Sequence, residues 1–72
     1  MSYVIARTDK DGRTEIYMNR FQIDGSGEFR SPHGTGLNLP LEYQYKFRAL
    51  HQMYKMASDD PDHVYEVREY LR

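Results

Sequence analysis

The chain of 72 residues has no cysteine and no tryptophan, only three prolines, and no apolar run approaching a membrane span. The missing cysteine excludes disulfides, thiolate zinc and iron–sulfur sites, and thiol nucleophiles together. The loss matters because a chain this short buries only about 60% of the surface its unfolded form exposes. Such domains usually lean on disulfides, a metal or a second chain, so a partner chain becomes the expected support. A bilayer-spanning helix needs about 20 apolar residues. The opening Met1-Ser2-Tyr3-Val4-Ile5 lacks the basic stretch and long apolar core of a secretion signal. A soluble protein of the cytoplasm, without membrane contact, is the expectation.

Strong charge of either sign is also lacking, although the net charge of −1 hides an uneven distribution. Residues 1–57 carry eight Lys/Arg and six Asp/Glu, whereas residues 58–72 carry two and five, so the two segments stand at +2 and −3. A global electrostatic attraction for nucleic acid is therefore absent, while a local basic face remains open. What the chain does have is aromatic surface: seven Tyr and three Phe. Tyrosine pairs an apolar ring with a polar tip, which suits both a thin core and an interface.

Tyr3-Val4-Ile5-Ala6-Arg7-Thr8 is β-branched and aromatic and reads as a strand. Asp9-Lys10-Asp11-Gly12 reads as a turn in which Gly12 takes a positive φ, and Arg13 to about Phe21 as the returning strand. With Thr8 opposite Arg13, Ile5 faces Ile16 and Tyr3 faces Met18, while Val4 and Tyr17 share the other side. The segment Asp24 to Gly36 holds four glycines and a proline in thirteen residues, which argues for a long loop anchored only by Phe29. Asn38 as cap and Pro40 in the first turn predict a helix to about Ala57. Tyr43, Phe47, Leu50, Tyr54 and Ala57, with Met53, form its core face. Tyr45 and Met56 then lie beside that face. Residues 63–72 alternate as a strand would, yet Asp60-Pro61 also suits a helix start. The strand is favoured, because a third strand gives the helix a sheet to cover. The expected fold is α+β: one ββαβ domain over residues 1–72, an antiparallel sheet packed against one helix.

Catalytic and metal-binding patterns are weak. His33, His51 and His63 show no paired helical spacing, and Asp59-Asp60-Pro61-Asp62-His63 lacks the glycine and the later glutamate of a calcium loop. Ser2, Ser26, Ser31 and Ser58 sit in no nucleophile elbow, and a thin domain offers little cleft to exclude water. Gly34-Thr35-Gly36 lacks the lysine of a phosphate loop. The reading is a non-enzymatic protein without catalytic, metal or cofactor residues.

Tyr3-Val4-Ile5-Ala6, Asp11-Gly12 and Tyr65-Glu66-Val67 carry a resemblance, by pattern over most of the chain, to small proteins encoded by phages and prophages. That group includes anti-CRISPR-like inhibitors of host defence. The resemblance implies a protein-binding module that blocks a host machine by steric occupation, in the host cytoplasm. One helix covers only one side of a three-stranded sheet, so the uncovered side is the expected contact surface, buried by a protein partner or in a homodimer. Val4, Tyr17, Arg68 and Tyr70 are its expected residues, since Tyr and Arg dominate interface hot spots. The alternative is a nucleic-acid-binding protein that uses the helix stripe Gln44, Arg48, His51, Gln52 and Lys55. A self-associating structural subunit is the third reading.

Overall fold

The computed structural model describes residues 1–19, 27–30 and 40–70. Their order is β1 (Ser2–Thr8), β2 (Thr14–Asn19), β3 (Gly27–Arg30), α1 (Lys46–Asp59) and β4 (Val64–Tyr70). The strands form one antiparallel sheet of order β3-β2-β1-β4, with α1 packed over β1 and β4. Among the described residues, the α+β class, the antiparallel sheet, the one helix and the strand that follows it all stand as expected. The sheet has one strand more than the sequence suggested. It comes from the glycine-rich segment: Gly27–Arg30 pairs with β2, setting Tyr17 opposite Phe29. A short edge strand tolerates glycine better than a central one does. Tyr17 also lays its ring over Gly27, where a Cβ would overlap it, a cross-strand cover for the bare glycine backbone. The flanking parts of that segment, His33, the Gly34-Thr35-Gly36 run and the proposed cap Asn38 lie outside the described residues.

The hairpin register differs from the expected one by a single residue. Thr8 pairs with Thr14, Arg7 with Glu15 and Ala6 with Ile16. The cause is the turn. Asp9 Oδ1 accepts from the N–H groups of Asp11 and Arg13, each at 2.9 Å, and Asp9 O accepts from the Gly12 N–H at 3.1 Å. Gly12 holds φ +84°, the left-handed conformation expected of it. The Asp9 N–H then donates to Arg13 O at 3.0 Å, so the loop closes one residue later than a Thr8–Arg13 pairing assumes. Side chains alternate along a strand, and a slip of one sends every residue of β2 to the opposite face. Tyr17 therefore joins the helix side, and Ile16 and Met18 join Val4 and Ala6 on the other.

Beyond Ala6 the two hairpin strands part, and residues 40–43 lie between them. Tyr3 and Tyr43 exchange N–H···O bonds of 2.9 and 2.8 Å, and the Leu41 N–H donates to Tyr17 O at 3.0 Å. Extended backbone here replaces the expected first helical turn at Pro40. The helix begins only at Lys46, with Tyr45 as an N-cap that makes no side-chain bond.

The core forms where α1 meets the sheet: Ile5, Ala49 and Met53 are buried, with Tyr3, Tyr17, Phe29, Tyr43, Leu50, Met56, Tyr65 and Val67 packed around them. The buried face of α1 is thus Ala49, Leu50, Met53 and Met56. Relative to the expected face it is rotated by about one residue, roughly 100°. Phe47 and Tyr54 are each 65% exposed, and Met56 belongs to the core. Volume explains the rotation. The sheet already supplies four aromatic rings to a thin core, so the helix approaches on its small residue, Ala49, which is fully buried.

A polar clamp ties the helix end to the sheet. Asp60 receives the Tyr65 hydroxyl at 2.7 Å and the Asp62 N–H at 3.1 Å. His63 Nδ1 lies 2.7 Å from Asp60 Oδ2, near enough to pair when protonated but without the angles of a hydrogen bond. Arg7 donates from Nε to Glu15 at 2.8 Å and stacks its guanidinium 4.2 Å from the Phe29 ring centre. The Tyr65 hydroxyl holds the Asp60 carboxyl below the usual carboxylate range, with Asp62 and His63 adding to the effect and burial opposing it.

Candidate interaction surface

The expected outer-face site does not assemble. Val4 is 4% exposed and Ala6 fully buried, so the centre of that face is already closed. Tyr17 lies on the helix side, its ring centre 5.0 Å from that of Phe29. The hairpin register, which sets Ile16 opposite Ala6, is what puts it there. Tyr70 and Arg68 do share the outer face with Val4: β4 sets Arg68 opposite Val4 and Tyr70 opposite Ser2. Arg68 is occupied locally, bonding Glu66 through Nε at 2.7 Å. Among the described residues, no three His, Asp or Glu side chains converge in a way that would hold a metal ion. No described helix is long and apolar enough to cross a membrane.

The helix stripe fares differently. Gln44, Arg48, His51 and Lys55 are exposed and Gln52 is half-buried. Gln44 precedes the helix, and the other four share one side of it. The rotation of α1 adds residues that the sequence reading placed in the core. Phe47, His51 and Tyr54 now recur at i, i+4 and i+7 on an exposed side, a spacing that aligns them along one helical stripe. Tyr45 stacks on Phe47 with ring centres 5.7 Å apart and planes inclined by 27°. The Arg48 guanidinium lies 5.8 Å from the Phe47 ring centre. Phe47 thus stands out from the surface braced by its own neighbours, a preformed rather than a floppy projection.

Charge on this surface has one sign. Residues 44–58 contain Lys46, Arg48 and Lys55 and not one Asp or Glu. The acids of the chain's last part begin at Asp59, where the helix ends. The sequence carried this signal in the acid-free run, but the aromatic residues were hidden because two different faces of α1 are apolar enough to be the core. Comparisons with protein-family models, with curated proteins and with solved structures find no match for this chain.

Proposed function

We propose that this protein is a non-enzymatic protein-binding module, with the exposed side of α1 as its working surface and an acidic groove on another protein as its target. The observation that carries the reading is the exposure of Phe47 and Tyr54, two turns apart on one side of a helix that holds no acidic residue before Asp59. Anchors at i, i+4 and i+7 are how an amphipathic helix seats itself in a groove. Aromatic residues and arginine supply most hot spots at such contacts. Lys46, Arg48 and Lys55 favour an acidic rim and would speed the encounter. The outer sheet face is closed at its centre, where Val4 and Ala6 are buried. The resemblance to phage-encoded inhibitors gives the proposal a direction: the target is a host machine, blocked by occupation in the host cytoplasm.

The cationic run also favours a second reading, binding of nucleic acid. Two observations weigh against it. The Phe47 ring is engaged by Tyr45 and Arg48, which leaves less of it for a base to stack on. Three cations on a chain of net charge −1 release few counterions.

The test compares capture from a host lysate by the parent and by a Phe47→Ala, Tyr54→Ala double variant shown to be folded. A protein held by the parent in fixed stoichiometry and released by the variant supports the reading. Equal capture by both would remove the helix surface from consideration. Affinity for a generic oligonucleotide that falls steeply with salt would transfer the surface to nucleic acid.

A further inference from the structure

We infer that β4 is the dimerisation edge of this protein: two copies pair their β4 strands antiparallel about a two-fold axis at Val67. The sheet has two edges, and they differ. β3 is four residues long, whereas β4 runs for seven, Val64–Tyr70, in unbroken register with β1. It contains no proline or glycine, and among the described residues no backbone bond from outside the sheet reaches it. Proteins usually blunt a long edge with proline, a bulge or inward charges. Proline and a bulge are absent from β4, and Glu69 alone, near its end, sets a charge on the helix side; Glu66 and Arg68 stand on the other face.

A two-fold axis normal to the sheet allows only registers centred on a residue, because paired residues must point to the same face. Centring on Glu66 sets two glutamates against each other, and centring on Arg68 sets two arginines together. Centring on Val67 sets Glu66 against Arg68 of the second copy, and Arg68 against Glu66 of the second copy. Val64, an apolar side chain left 71% exposed, then meets Tyr70 of the second copy. Directly opposed unlike charges and apolar pairs are the stabilising contacts of an antiparallel ladder. Glu66 and Arg68 pair with each other within the strand, 2.5 Å apart, and both stand half-exposed on the same face of this edge strand. Strand–strand backbone bonds supply the affinity and the charges select the register.

Pairing of this kind extends the sheet to eight strands and leaves both helices on one side of it. The two copies of the Phe47–Tyr54 surface would then face the same way, so a target with two sites could be held by both. The dimer does not depend on that surface being the functional one.

The experiment measures the monomer–dimer equilibrium by sedimentation for the parent, Glu66→Arg, Arg68→Glu and the double exchange E66R/R68E. Both substituted positions carry exposed side chains, and circular dichroism confirms that each variant is folded. The parent is expected to dimerise. Each single reversal turns both cross-copy pairs into like-charge contacts and weakens the dimer on the order of tenfold. The double exchange restores the pairs and returns the affinity to near the parent's. A parent that stays monomeric at roughly millimolar concentration overturns the inference. So does a dimer indifferent to the single reversals, or a double exchange as weak as the singles. None of these variants touches α1, so loss of the dimer and loss of target capture by the helix variants are separate results.

Discussion

Replacing Ile5 with Ala and, separately, Phe47 with Ala probes the orientation of α1 directly. The two side chains are both large and apolar, and a pattern-based reading of the helix makes Phe47 the costlier loss. The structure reverses that order. Ile5 is fully buried between the sheet and Ala49 and Met53. Removing it deletes buried methyl groups and leaves a void in a core of few residues, a cost of about 2–5 kcal/mol. A domain of this size has on the order of 4–11 kcal/mol of stability in total. At roughly 4–8 °C per kcal/mol, the melting temperature should fall by at least about 8 °C. Phe47 is 65% exposed, so only about a third of its ring is sequestered. Burying a whole Phe is worth about 1.5–3 kcal/mol, which scales to about 0.5–1 kcal/mol here. Alanine returns part of that through its higher helix propensity. The net change should stay below about 1 kcal/mol. Urea unfolding followed by far-ultraviolet circular dichroism resolves the two cases. A Phe47→Ala variant as damaged as Ile5→Ala would mean that α1 packs on its aromatic side and that the interaction surface assigned to it is wrong.

The close approach at Gly27 and the carboxylates of the turns give two further expectations. Gly27→Ala places a methyl group in the volume of the Tyr17 ring, so β3 should detach or shift. A Tyr17→Leu change in the same chain should recover part of the loss, and denaturation of the two variants side by side checks this. For pH, Asp60 is held low chiefly by Tyr65, and Asp9 chiefly by the Arg13 N–H. A carboxyl lowered in the folded state stabilises the fold fully above its ordinary value of 3.8, and that contribution disappears as pH falls through the folded value. Stability should thus hold from neutral pH to about pH 4 and drop below it. Asp60→Asn keeps an acceptor for the Tyr65 hydroxyl but does not titrate. Its urea midpoint should fall less between pH 5 and pH 2 than the parent's, and parallel curves would refute the role of Asp60.

Local chemistry determined much of this protein in the sequence alone. β-Branched and aromatic residues marked β1, the turn after it marked β2 as the returning strand, and alternation marked β4, because a strand's faces repeat every second residue. Asp9-Lys10-Asp11-Gly12 marked the turn and the left-handed glycine, since only glycine enters that conformation without a Cβ penalty. The acid-free run along α1 marked a basic helix side. Tertiary structure decided what depends on sums over the whole molecule. One additional residue in the turn closure moved Tyr17 across the sheet, and no count of local propensity distinguishes the two registers. Pairing with β2 made a strand of Gly27–Arg30, which by itself reads as loop. Above all, α1 had two apolar faces to offer. Four aromatic rings from the sheet had filled the core, so the face bearing Ala49 and Met53 turned inward and the one bearing Phe47 and Tyr54 was left exposed.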